Sequence, residues 1–316
     1  MNGETTIGID IGGSSIKAIV LREDGTHGEL VCVPTPADGG SAGVIAAIER
    51  GARTALETAG AGRPAAIGIG TPGLVDDELT IRGAAVNLPD WEAFSLKAVV
   101  EQMFHVPVWG GNDVGLAVLG EYELGAGTGS KVLAGIWLGT GIGGGIIING
   151  KPFRGHNGIG GEIGHVVVEP DGELCRCGSR GCSEVYASAT GFLRLYLREL
   201  EKQDSDVRVP TTVSMSGFAL ALRAGRPEAI AAHRIGCEML ARTAGIVLNL
   251  FAPDRLLLGG GVVQAGIPLI GSVGERLAAY SLPACRNQCE LRLSTLGADA
   301  GALGAAHLAR RRLVEL

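Results

Sequence analysis

Short apolar runs that end on glycine set the rhythm of this chain. Residues 6–21, TIGIDIGGSSIKAIVL, place β-branched residues on both sides of Gly12 and Gly13. That pattern predicts a strand, a tight turn and a returning strand, because glycine reaches backbone angles closed to other residues. Residues 41–60 carry apolar positions at helical spacing and end on Gly60, and AAIGIGTPG at 65–73 reads as a short buried strand closed by Pro72 and Gly73. A helix is expected at about 92–104 and a strand at 106–111. Asn112 and Asp113 then stand at a strand end and open the next helix. The theme recurs at 131–150, KVLAGIWLGTGIGGGIIING, again strand, glycine turn, strand. Helices are expected near 184–202 and 226–251, a buried strand at 255–258 ahead of Gly259, Gly260 and Gly261, and an Ala- and Leu-rich helix at about 299–316. The expectation is an α/β chain built by divergent duplication. Its lobes would span 1–120 and 121–298, with the last helix packing back on the first lobe.

Composition narrows the partners. The 316 residues are 46% hydrophobic, enough for two ordinary cores, and the 52 glycines fall in clusters without a three-residue period. A net charge of -6, with no basic stripe beyond Arg310, Arg311 and Arg312, argues against nucleic acid, whose phosphates are held by clustered Lys and Arg. The beginning MNGETTIGID shows no secretory pattern, and the longest uncharged run, 132–148, holds six glycines, so neither export nor a membrane span is expected and the location is read as cytoplasmic. Seven cysteines, an odd number, three of them within 175–182 of GHVVVEPDGELCRCGSRGCSE, favour metal binding or catalysis over a disulfide framework.

The glycine turns are the first candidates for chemistry. In IDIGGSS, Gly12 and Gly13 would turn backbone N–H groups toward phosphate oxygens, Ser14 would add a hydroxyl, and Asp10 would hold Mg²⁺ directly or through water. Thr140 and Gly141 of LGTGIGGG offer a second cradle, and Gly260 and Gly261 of LLLGGGVV would let a flat ligand lie close to the backbone. None of these turns ends in the Gly-Lys-Ser/Thr of a Walker motif, and no G-x-G-x-x-G with a downstream ribose-binding acid makes a convincing dinucleotide-binding fingerprint.

Taken in order, DIGGSSIK (10–17), GTPG (70–73), NLPDW (87–91), Asn112 and Asp113, LGTGIGGGIIING (138–150), GEIGH (161–165), CRCGSRGCSE (175–184) and LLLGGGVV (256–263) resemble the ROK family of sugar kinases and repressors over nearly the whole chain. The resemblance implies an actin-like (ribonuclease-H-like) two-domain ATPase fold with an interdomain cleft. It also implies ATP- and Mg²⁺-dependent phosphorylation of a hexose, glucose first, and a homodimer or homotetramer. By the family's pattern Asp113 is the catalytic carboxylate that accepts the sugar hydroxyl's proton. Asn112, Glu162, His165 and Glu184 hold further hydroxyls, with Asn87 and the Gly73 backbone nearby. The repressors carry a DNA-binding segment ahead of the first hairpin, and here Asp10 leaves no room for one, which favours the kinase branch. Alternatives are an N-acetylhexosamine kinase, a polyphosphate-dependent glucokinase and a non-catalytic sugar-binding regulator.

Two departures stand out: Ser14 and Ser15 replace the usual Thr-Lys, which weakens any role for Lys17, and Gly115 stands where an Asn is common. In this frame His165, Cys175, Cys177 and Cys182 form a Cys₃His set suited to a closed structural Zn²⁺ site with no position left for water. The staple would position Glu184, which follows the last cysteine closely.

Overall fold

The computed structural model describes residues 5–83, 88, 90–202 and 213–315. Strands β1 (Thr6–Ile11), β2 (Ser15–Leu21) and β3 (Val31–Pro34) lead to α1 (Gly40–Thr58), β4 (Ala66–Thr71), α2 (Leu96–Phe104), β5 (Val108–Asn112) and α3 (Asp113–Leu124). There follow β6 (Val132–Leu138), β7 (Ile142–Ile148), β8 (Lys151–Pro152), α4 (Glu184–Ala187), α5 (Ala189–Glu201), α6 (Met215–Arg223) and α7 (Pro227–Phe251). The chain closes with β9 (Arg255–Gly259), α8 (Gly261–Gln264), α9 (Ile270–Gly274), α10 (Pro283–Arg286), β10 (Glu290–Leu293) and α11 (Ala300–Val314). Two compact units result. The first comprises Met1–Gly129, Lys151–Gly161 and Ala298–Leu316, and the second Ser130–Gly150 and Glu162–Gly297. The first unit thus runs past the expected boundary near residue 120. Among the described residues no helix is long and apolar enough to cross a membrane.

The first unit is built on a five-stranded sheet of order β3-β2-β1-β4-β5, and the second on the strands β10-β9-β6-β7 in that order, β8 falling outside its residues. In the first, β1 and β2 form the antiparallel hairpin while β1, β4 and β5 run parallel, so Asp10 pairs with Gly70, and Gly70 with Gly111. In the second, β6 and β7 form the hairpin and β9 runs parallel to β6, pairing Gly259 with Trp137. The same arrangement therefore appears twice. In both units the glycine turns stand at the C-terminal ends of the parallel strands, where open α/β sheets place ligands.

The last helix belongs to the first unit. Its inner face, Ala302, Leu303, Ala305, Ala306 and Ala309, is buried, and it lies against β1, β4 and α3. Small residues permit that approach, since a β-carbon on Gly68 would overlap the Ala305 carbonyl and one on Gly304 the Leu116 carbonyl. Helix α2 starts at Leu96 rather than near 92, because Ala93 has φ of 60° and the Ser95 hydroxyl accepts the Ala98 N–H as cap. In the second unit α7 begins on Pro227, which fits the first helical turn, where no N–H is required.

Candidate active site

In the first unit three chain segments converge on Gly70. A β-carbon there would lie 3.3 Å from Asp113 Cα and 3.7 Å from Asp10 Oδ1, so this glycine separates the two carboxylate-bearing residues without filling the space. Asp10 interrupts the buried run of β1, between Ile9 and Ile11. Burial pushes its carboxyl above the usual range, opposed by Lys17, whose Nζ donates to Oδ2 at 3.3 Å. Lys17, set aside on the family pattern, thus has a contact at the site. Gly301 of α11 closes over the other side, where a β-carbon would meet Asp10 Cγ at 2.6 Å.

The first hairpin turn is held from behind. Thr35 Oγ1 donates to the Gly12 carbonyl at 2.7 Å and Thr35 N–H to the Ser14 carbonyl at 3.1 Å, while Gly13 and Ser14 are exposed. In a trans peptide the N–H that follows points away from its carbonyl, so the amides of Gly13 and Ser15 face away from Thr35.

Asn112 and Asp113 divide two roles. The Asn112 carboxamide oxygen accepts from the N–H of Val114 and Gly115 and caps α3, and its Nδ2 donates to Gly73 O at 3.5 Å. Asp113 is the first helical residue, and its Oδ1 accepts from Val114 N–H at 2.9 Å. Gly73, at φ 88°, turns the chain after β4 and so stands next to Asn112. Trp91 of the NLPDW motif is buried and donates to Thr71 Oγ1 at 2.9 Å. Asn87 lies outside the described residues. A separate cavity of about 700 Å³ in this unit, beside Trp109, Phe153, Arg154 and Leu308, contains none of the predicted residues.

In the second unit the turn between β6 and β7 is tied back in the same manner. Gly139 O accepts from Ala189 N–H at 2.8 Å, Thr140 O from Thr190 Oγ1 at 2.6 Å, and Ile142 N–H donates to Glu184 Oε2 at 2.9 Å. With both carbonyls directed at the start of α5, the N–H groups of Thr140 and Gly141 point the opposite way, a concave pair suited to an anion. The glycines after β9 differ from expectation in part. The space that a β-carbon would need is filled by the Trp137 ring at Gly259 and by the Leu138 backbone at Gly260, which has φ of 89°. Only Gly261 faces open space.

Glu162, His165 and Glu184 come together in this unit. Partial desolvation raises the Glu162 carboxyl above its ordinary range, His165 opposes the shift and the Glu184 charge adds to it. Next to them His165, Cys175, Cys177 and Cys182 have ligand atoms that all lie within 4.8 Å of one another. Cys177 Sγ is 3.6 Å from Cys182 Sγ, and Cys175 Sγ is 3.7 Å from His165 Nδ1. Those separations suit four ligands around one tetrahedral ion, since metal–sulfur bonds of about 2.3 Å put sulfurs a little under 4 Å apart. Burial raises the Cys175 thiol and brings that of Cys182 to about 12, while the Ser179 backbone lowers Cys177 to about 7. A divalent cation would supply the positive charge that the buried thiols lack.

The loop that carries these ligands is clamped by α7. Arg242 Nη1 donates to Val168 O at 2.8 Å and to Glu169 Oε2 at 2.9 Å, and the Ser183 and Thr243 hydroxyls meet at 2.5 Å. Arg242, Thr243, Thr190 and Gly301 belong to no sequence motif, whereas Gly70 opens the GTPG motif at 70–73.

Comparison with known proteins agrees with this geometry. The ROK family model matches residues 6–312. A glucokinase from Thermotoga maritima is 36% identical over 313 residues, covering 97% of this chain and 98% of its own length. The crystal structure of a ROK family glucokinase from Streptomyces griseus in complex with glucose and AMPPNP is 35% identical with a TM-score of 0.83, covering 97% of this chain and 99% of that one. A ROK hexokinase from Thermus thermophilus is 31% identical with a TM-score of 0.82, covering 99% of this chain and 100% of that one. The mixed α/β build on two sheets agrees with the actin-like two-domain fold of such kinases. From its motifs, its fold and its full-length relatives, the chain belongs to the ROK family.

Proposed function

We propose that this protein transfers the γ-phosphoryl group of ATP to the 6-hydroxyl of glucose, giving glucose 6-phosphate and ADP. The observation that carries the reading is the pair of carboxylate-bearing residues, Asp10 and Asp113, on either side of Gly70 at the C-terminal ends of parallel strands. Its setting is a chain similar throughout to glucokinases. Asp113 accepts the proton of the 6-hydroxyl as that oxygen forms its bond to phosphorus, and the bond from phosphorus to the ADP oxygen breaks with its electron pair leaving on ADP. The amides at Gly13 and Ser15, and those at Thr140 and Gly141, hold phosphoryl oxygens, with Gly12 and Ser14 shaping the first turn and Gly260 and Gly261 the adenosine side. Asp10 fits a Mg²⁺ role because it is a carboxylate raised by burial, which a divalent cation would return to the ionised form. When bound, that ion neutralises charge on the phosphates.

Glu162, His165 and Glu184 are assigned to the remaining sugar hydroxyls, with Asn112, Asn87 and Gly73 nearby. A carboxylate accepts from two vicinal hydroxyls and so discriminates against a sugar lacking one. His165, Cys175, Cys177 and Cys182 are assigned to a structural Zn²⁺, whose closed ligand set gives it no part in the transfer. The test is sugar-dependent ADP release with glucose, N-acetylglucosamine, N-acetylmannosamine, mannose and fructose, with ATP and polyphosphate compared as donors. Turnover highest with glucose and ATP supports the proposal. Preference for an N-acetylhexosamine or polyphosphate, or sugar binding without ADP release, overturns it.

A further inference from the structure

We infer that Thr190 is a positioning residue for phosphoryl transfer: its hydroxyl fixes the peptide between Thr140 and Gly141 so that the Gly141 N–H faces the nucleotide phosphates. The inference rests on the reading of residues 139–142 as a phosphate cradle.

The hydrogen bonds determine where each proton sits. Thr190 Oγ1 is 2.6 Å from the Thr140 carbonyl, which can only accept, so the threonine proton lies there. Ser188 Oγ, 2.9 Å from Thr190 Oγ1, must therefore donate to it, while itself accepting from Gly191 N–H at 3.0 Å. Ser188 is buried and caps α5. A chain of hydroxyls thus runs from the helix cap to the turn, each bond polarising the next.

The turn needs such a hold. Gly141 has no β-carbon, because Glu184 Oε2 occupies that space, and a glycine flank eases rotation of the preceding peptide. A rotated peptide would present the Thr140 carbonyl to an anion where its partner amide should be. The neighbouring Gly139 carbonyl is held by a main-chain donor, Ala189 N–H, that no substitution removes. Thr190 is the side chain whose loss would free the second peptide. It is exposed, so it contributes little to the core, and its hydroxyl gives up water to reach the turn.

The experiment compares Thr190→Val and Thr190→Ser with the unaltered protein, and follows the Gly141 amide by NMR as AMPPNP is added. Loss of one oriented amide facing a charged oxygen should lower kcat/KM for ATP roughly tenfold in Thr190→Val, with KM for sugar and the melting temperature unchanged, and Thr190→Ser should remain within about twofold. A Gly141 resonance that ignores AMPPNP overturns the cradle reading itself. A resonance that moves while Thr190→Val keeps its kcat/KM for ATP overturns the role of Thr190 alone. Equal losses toward sugar and ATP, or a lowered melting temperature, reduce Thr190 to a structural residue and also overturn it.

Discussion

Thr243→Val should destabilise the protein more than Ser183→Ala, although the two side chains share one hydrogen bond. Both residues are fully buried, with hydroxyl oxygens 2.5 Å apart. Thr243 Oγ1 also lies 2.9 Å from the Met239 carbonyl and must donate there, so Ser183 is the donor to Thr243. Ser183→Ala deletes that donor and leaves Thr243 with its own proton still placed, a loss near the net value of one hydrogen bond, about 0.5–1.5 kcal/mol. Thr243→Val leaves the Ser183 proton buried without an acceptor, about 1–3 kcal/mol, and sets a methyl where an oxygen made a short contact, which adds strain in the same direction. At about 1.5 °C per kcal/mol for a chain of 316 residues, the gap between the two variants should be about 1–3 °C in thermal unfolding. The double variant should lose less than the sum, because no unpaired hydroxyl remains. Equal losses, the reverse order or strict additivity would refute the assigned proton direction. Ser183 lies between Cys182 and Glu184, so each variant should also raise KM for sugar.

Two further outcomes follow from the site. Glu162 must be ionised to accept sugar hydroxyls and its carboxyl is raised, so kcat/KM for sugar should fall on acidification at a pH above the ordinary glutamate value of 4.5. Glu184→Gln removes the like charge and should move that acid limb to lower pH by part of the shift, burial being the larger cause; a limb that stays in place contradicts the assignment. Metal analysis should find stoichiometric zinc, and chelation or Cys177→Ala should raise KM for sugar and lower hydrogen-exchange protection across residues 165–184 together. A zinc-free preparation with unchanged KM would contradict this.

The elements that a reader could find in the sequence are those with buried apolar runs. β1, β2, β4, β6, β7 and β9 announce themselves in this way, whereas β3 and β10 lie at sheet edges with mostly exposed or half-exposed residues and carry no such pattern. The terminal helix was legible from its small residues, and so was its return to the first unit. The turns at Gly12 and Gly141 and the Cys₃His cluster were legible as motifs because each is local. What supports them was not. Thr190 reaches Thr140 across 50 residues, Ser183 reaches Thr243 across 60, and Arg242 reaches Val168 across 74, all through hydroxyls or a guanidinium that have no periodicity of their own. At Gly259 and Gly260 the absence of a β-carbon also has a packing reason that no motif shows, because the Trp137 ring and the Leu138 backbone fill that space.

The central claim, that Asp113 is the base for transfer of phosphate from ATP to glucose, is tested most directly by Asp113→Asn in the sugar-dependent ADP assay, alongside glucose binding by calorimetry. Asparagine preserves the volume and can still accept from Val114 N–H, but it cannot take the hydroxyl proton. The expected result is a fall in kcat on the order of 10²–10⁴-fold with folding intact and glucose still bound. Turnover close to that of the unaltered protein would contradict the account.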